Sequence, residues 1–283
     1  MTHPGMNIML RLTTPKESIV LVLAIFAAGC RSTDTASVVE PGWDYGTAAE
    51  YQPTLATPYE ALTESPIPAQ GVAQPEWPGN SEAIVFAWSG GSAEGLAKRG
   101  KAEISKAGSM KLAGGSFVAE GRNSRLLEAC SQSNELTIEA VLTSHNTTQQ
   151  GPARIVSFST DHNSRNFTLG QDREKLTLRL RTSKTGANGI PPETVLTKVT
   201  KGGTMHLVVT YRPGELAAFV DGEEVFRTKE LKGDFSNWEP HHLIFGDEFN
   251  GQRVWSGDLE RVALFSEFTT AEAARARFLM IVE

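Results

Sequence analysis

From Ser81 to the C-terminus the chain is written in short apolar runs, each closed by turn-forming residues. Ile84-Val-Phe-Ala-Trp88, Leu136-Thr-Ile-Glu-Ala-Val-Leu142 and Ile155-Val-Ser-Phe-Ser159 are all bounded by Gly, Asn, Ser or Pro. Leu176, Leu178 and Leu180 alternate with Thr177, Arg179 and Arg181, the period of two that turns one strand face inward. Phe167 to Gly170, Met205 to Tyr211, Leu216 to Val220, Leu243 to Phe245 and Leu259 to Phe265 continue the series. Asp221-Gly222, between Phe219-Val220 and Val225-Phe226, predicts a tight hairpin, because a type I′ turn needs positive φ at both central residues. Many short strands with turns between them point to a sandwich or barrel. The one helix this reading predicts is terminal, where Thr269 and Glu272 form a capping box ahead of an Ala-rich stretch reaching Met280.

The segment before Ser81 is of a different kind. Arg11 and Lys16 precede the apolar stretch Ile19 to Phe26, which ends in Ala27-Ala28-Gly29-Cys30. A cationic flank, a short apolar core and small residues before a cut site describe a secretory signal over 1–29. The core falls far below the ~20 residues that a spanning helix needs. Residues 30–80 hold seven of the chain's 14 prolines among Ala, Thr, Glu, Gln and Gly, with no helical or strand period. Such a composition cannot offset its ordering entropy, so it reads as a flexible tether reaching on the order of 100 Å when extended. Its aromatic residues include Trp77, expected to staple the tether's end onto the domain at 81–283, and Trp43, the centre of a possible docking motif.

Small residues followed directly by Cys30 resemble the lipobox of bacterial lipoproteins, although Ala27 stands where that box usually has Leu. The resemblance implies that Cys30 receives a diacylglycerol and anchors the chain to a membrane of the cell envelope, with the domain outside the cytoplasm. Two or three acyl chains, at roughly 0.8 kcal/mol per buried CH₂, hold a protein firmly. The alternative is a soluble secreted protein cut at a nearby Ala.

Three blocks resemble the LamG-like jelly-roll group of the concanavalin A-like lectin/glucanase superfamily. They are Met205-His-Leu-Val-Val-Thr-Tyr211, the hairpin Phe219-Val-Asp-Gly222, and Trp255-Ser-Gly257 with the closing run Leu259 to Phe265. Order and spacing agree from Ile84 onward. The resemblance implies an all-β fold of two antiparallel sheets packed face to face, with a short helix at the end. It also implies that Trp255 is a core aromatic. Glu260 and Arg261 depart from the family, which usually has Asp and Glu there.

Several chemistries have no footing in these residues. A net charge of −6 and the absence of a Lys/Arg-rich run argue against a nucleic-acid partner. With two cysteines there is no disulfide scaffold and no Cys-based zinc site, and Cys130 reads as a small buried apolar side chain. No Glu has Asp two residues later, so the E-x-D-x-x-E pair of the superfamily's glucanases is missing. Gly95-Leu-Ala-Lys-Arg-Gly100-Lys101-Ala102 imitates a phosphate loop but ends in Ala102 where Ser or Thr should bind Mg²⁺, and reads as a basic surface loop. His241 and His242, adjacent on a strand, point to opposite faces, and His206 reads as a packed or hydrogen-bonded residue.

What remains lies in two loops. Trp238, Asp247, Phe249, Asn250 and Arg253 offer aromatic faces beside polar groups, the usual means of holding a sugar. Asp161, Asn163, Asp247 and Glu248 offer hard oxygens of the kind calcium accepts. The leading expectation is a cell-envelope binding module for polysaccharide or an envelope protein, and not an enzyme. A polysaccharide-acting enzyme with an unfamiliar acid/base pair and a purely structural envelope protein are the alternatives.

Overall fold

The alternating runs become the strands of two antiparallel sheets in a computed structural model, which describes residues 76–282. The signal, Cys30, Trp43 and residues up to 75 lie outside the described residues. The strands are β1 (Ile84–Trp88), β2 (Leu96–Gly100), β3 (Glu103–Ile104), β4 (Met110–Lys111) and β5 (Gly115–Ala119). Helix α1 (Asn123–Ser133) follows, then β6 (Leu136–Ser144), β7 (Ala153–Ser159), β8 (Arg165–Asp172), β9 (Lys175–Leu180) and β10 (Thr194–Lys198). The chain closes with β11 (Thr204–Arg212), β12 (Glu215–Val220), β13 (Glu223–Thr228), β14 (His242–Phe245), β15 (Gly257–Phe265) and α2 (Ala271–Val282).

The first sheet runs β13-β12-β11-β6-β15-β4-β3, with β1 paired to the far half of β15; the second runs β10-β9-β8-β7-β14-β5-β2. Their inner faces share one core that includes Phe117, Ile138, Leu142, Phe158, Phe167, Leu178, Leu207, Val209, Leu243, Phe245 and Trp255. The period-two pattern left sandwich or barrel open, and this is the jelly-roll sandwich that the family resemblance implies. Asp221 and Gly222 have φ of 52° and 80°, so the β12–β13 turn has positive φ at both central positions.

Both sheets are covered on their outer faces as well. On the first, α2 packs Ala274 against Val208, Ala217 and Phe219. Beside it Trp77, 4% exposed, packs on Ala263 and Phe265, so the tether's end is stapled to the sheet. Glu139, fully buried at the centre of this face, accepts hydrogen bonds from Trp77 Nε1 (2.6 Å), His206 Nε2 (2.7 Å) and Arg277 Nη1 (3.2 Å). His206 is therefore hydrogen-bonded within its strand, as its setting suggests.

Three expectations need correction. The domain contains a second helix, α1, which docks Leu126 and Cys130 in the core. Its sequence carries no side-chain N-cap and no acidic first turn, so the usual start signals are missing. The cap of α2 is Thr270, whose hydroxyl accepts the Ala273 amide (3.3 Å), while Thr269 is buried and bonded to Thr137, Thr210 and Arg277. Finally, the imitation phosphate loop is mostly strand β2, paired residue for residue with β5.

Candidate functional site

The outer face of the second sheet is where polar chemistry collects. In β7 the bulge at Ile155 leaves Phe158 facing the core and Arg154, Ser157 and Ser159 on the outer face. Thr168 and Arg165 of β8 lie opposite Ser157 and Ser159, and Arg179 of β9 lies opposite Thr168. An outward row of this kind ordinarily meets water. Here every residue of β7 is buried, and Arg154 and Arg165 are fully so.

The cover is the loop between β14 and β15. Gly246 leaves the strand with φ 109°, Gly251 turns with φ 78° and Arg253 rejoins with φ 56°. Left-handed backbone at both ends doubles the loop back over the sheet. The Glu248 amide donates to the Gln252 carbonyl (2.8 Å) and the Gly251 amide to the Glu248 carbonyl (2.7 Å), closing the loop on itself. Phe249 at its tip stacks flat on His242 (centroids 4.1 Å, planes 7° apart), with the Arg99 guanidinium 4.7 Å from its ring. Arg99 also donates to the Phe249 carbonyl.

Beneath the loop the Glu248 carboxylate, fully buried, takes Arg154 Nε (2.9 Å) and Nη2 (2.8 Å) on one oxygen and the Ser159 hydroxyl on the other. The Ser157 hydroxyl links Ser159 (2.9 Å) to Thr168 (2.8 Å), extending a hydroxyl chain across two strands. Arg165 donates through Nη2 to the His162 carbonyl, but its Nε and Nη1 are buried without an acceptor. Burial, with Arg154 nearby, pushes the Arg165 guanidinium down to about 9. Burial also lowers Arg154, against the opposing pull of Glu248. Asp247 is 5% exposed, its Oδ1 has no partner, and burial holds its carboxyl above the usual range.

The structure divides the expected site residues. Asp247, Phe249, Asn250 and Arg253 share this loop, with Phe249 at 37% exposure and Asn250 capping the Gln252 amide (3.1 Å). Arg253 is tied to the Gly151 carbonyl (3.1 Å). Trp238 belongs elsewhere: it stacks on Phe235 (4.1 Å), meets Phe158 and Phe167 edgewise or tilted, and donates to the Arg181 carbonyl (2.7 Å). Its ring is a core side chain at 8% exposure, closed to a ligand. Trp255 is also core, fully buried and donating to Gln171 Oε1 (2.8 Å).

The four calcium candidates are not gathered as one set. Asp161 folds its Oδ1 onto the amides of Asn163 (2.6 Å) and Ser164 (3.0 Å), which holds its carboxyl below the usual range. Asn163 is exposed, and both Glu248 oxygens are taken. Among the described residues no three of His, Cys, Asp and Glu converge as metal ligands. Arg154, Arg165, Ser157, Ser159 and Thr168 were absent from the expected site. Their one sequence signal is the pairing of Arg with Ser and Thr at alternate positions of two apolar strands.

Residues 121–274 match the profile described as the concanavalin A-like lectin/glucanases superfamily. Among solved structures, the binding domain of botulinum neurotoxin serotype C1 has a TM-score of 0.52 at 10% identity, over 69% of this chain and 51% of that one. The binding domain of botulinum neurotoxin DC, solved with rat synaptotagmin II, has a TM-score of 0.52 at 9% identity, over 70% and 51%. A sialidase of Trypanosoma rangeli, solved with the inhibitor DANA, has a TM-score of 0.46 at 15% identity, over 64% and 28%. At these identities the likeness is one of fold. The chain spans about half the length of the two binding domains. No curated protein matches it.

Proposed function

The chain belongs to the concanavalin A-like lectin/glucanase superfamily, and from that premise we propose a cell-envelope lipoprotein whose sandwich binds carbohydrate at the roofed outer face of its second sheet. One observation carries the reading. A hydroxyl chain and two guanidiniums are buried under a loop whose exposed tip is an aromatic ring stacked on His242. Sugars are held by an apolar ring together with a few fixed polar groups; the loop brings the part-exposed Phe249 ring, packed between His242 and Arg99, beside the polar row of β7 and β8. Rigid strands hold the polar row while the loop varies, the usual division of labour in binding sandwiches. Binding rather than turnover fits the missing glucanase carboxylate pair. Cys30, with its small-residue approach, supplies the anchor, and the Pro-rich segment expected as the tether over 30–80 the reach from the membrane.

A glycan array probed with the full chain, with and without calcium, tests the reading. Binding of a defined glycan that Phe249→Ala weakens at least fivefold, with an unchanged thermal midpoint, is the expected result. Loss of binding without calcium would place the ion at the loops, and no glycan bound by the folded chain in either condition overturns the reading. The anchor is tested separately by Cys30→Ser, which should move the chain from the membrane to the soluble or unprocessed fraction. Unchanged fractionation, with no acyl mass on the wild type, removes the lipoprotein assignment.

A further inference from the structure

Beneath the loop at 246–253 the buried Arg154 pairs with the buried Glu248, while Arg165, buried opposite Ser159 on the next strand, pairs with neither Glu248 nor Asp247, the loop's other buried carboxylate. A buried charge is costly unless it is paired and its hydrogen-bonding groups are satisfied. Arg154 is paired with Glu248 and hydrogen-bonded through Nε and Nη1, with only Nη2 left in ionic contact without a hydrogen bond. Arg165 has no ion pair among the described residues and keeps two nitrogens without an acceptor at zero exposure. The deficit is two unmade hydrogen bonds on a buried cation. Arg179, across Thr168, adds a third cation, paired with Glu193 on the next connection.

Glu248 also shows what shape of anion the site accepts. Its planar carboxylate takes the side-on edge of Arg154 on one oxygen and a serine hydroxyl on the other. That is a carboxylate cradle, and the group occupying it is carried on a loop with left-handed backbone at Gly246 and Arg253. We propose that the Arg154–Arg165–Ser159 cluster is a binding site for the carboxylate of an acidic sugar, a uronate, and that Glu248 is the internal carboxylate which the sugar displaces. The proposal rests on the glycan-binding reading and narrows it to one class of ligand. Displacement lifts the loop, opens the face and gives Arg165 its missing acceptor. Glu248 thereby sets the affinity, since a ligand must compete with it.

The test measures binding of the full chain to a hexagalacturonate, a neutral hexasaccharide and a sulfated neutral hexasaccharide. Wild type should prefer the hexagalacturonate. Glu248→Gln, which keeps the shape and removes the competing charge, should tighten that binding at least tenfold and raise the preference for hexagalacturonate over the neutral sugar. Arg165→Gln should weaken it at least tenfold. Should Glu248→Gln fail to fold, hydrogen exchange of wild type answers instead: amides of 246–253 should exchange faster with hexagalacturonate bound. Equal binding of the neutral or sulfated sugar overturns the uronate site but leaves the glycan reading standing. Uronate binding that Glu248→Gln does not tighten, or exchange that does not rise, overturns the displacement. No binding of any of the three by folded protein overturns both.

Discussion

At the scale of single residues, burial separates groups that the sequence presents alike. Trp255 and Phe249 are both aromatic residues of one connection, yet the first is fully buried and the second 37% exposed. Trp255→Ala should cost about 3–5 kcal/mol, as a large core truncation that also removes one of the three donors to Gln171 Oε1, whereas Phe249→Ala should stay within about 1 kcal/mol. Denaturant melts of the two variants check this. The motif around Trp255 has its own steric reason: a Cβ on Gly257 would lie 2.3 Å from the Trp255 ring. Asp247 supplies a pH signature. Burial raises its folded pKa above the unfolded one, so the folded state holds the proton more tightly. The resulting stability is complete below the unfolded pKa and is lost as pH rises through the folded one. Asp247→Asn, neutral throughout, should therefore match wild type in acid and exceed it at neutral pH. A difference in melting temperature that does not change with pH contradicts the assignment.

At the scale of elements, adjacent threonines in the approach to α2 do different work. Thr270 caps the helix from outside, and Thr270→Ala should cost about 1 kcal/mol. Thr269 donates to Thr137 and accepts from Arg277 in a buried network, so Thr269→Val leaves Arg277 short of an acceptor and should cost about 1–3 kcal/mol. Chemical denaturation of the pair ranks them, and a larger loss at Thr270 would restore the capping box at Thr269. Ten of the strands were legible because side chains alternate by local geometry alone, and every run from Ile84 to Phe265 named from the pattern became a strand, while β2 to β5 and β10 went unread. Helix α1 was not legible. Asn123-Ser-Arg-Leu-Leu-Glu-Ala-Cys carries the i,i+4 pair Leu126 and Cys130, but so short a period with no cap does not mark a helix, and its Asn123 side chain bonds the Leu243 amide (3.1 Å) across the fold instead of capping its own helix.

At the scale of the molecule, Glu139 holds three distant parts of the chain together. Trp77, His206 and Arg277 converge on it, tying the stapled end of the Pro-rich segment and the terminal helix to the middle of the first sheet. Glu139→Ala leaves Arg277 and His206 buried around a missing anion and should cost about 3–5 kcal/mol. Protease susceptibility at 76–83 should rise with it, since Trp77 loses its acceptor. An unchanged melting curve and cleavage pattern would show that the cluster is incidental.

The sequence by itself determined a domain of many short strands and the tight hairpin at Asp221-Gly222, both of which follow from local backbone geometry. The choice of a sandwich and the core place of Trp255 came with the family resemblance. The sequence also directed attention to the loop of Asp247, Phe249, Asn250 and Arg253, through residue types suited to a ligand. What it left open is what covers the second face of each strand. Ser157 and Ser159 alternate with core residues as a solvent face would, and bulges in the β7–β8 pairing bring Arg154, Arg165 and Thr168 onto the same face. Their burial was decided by the loop after β14, which carries Glu248 onto Arg154 and Ser159 from 94 and 89 positions away. A period of two records where a side chain points, and only the closed tertiary structure records what it meets there.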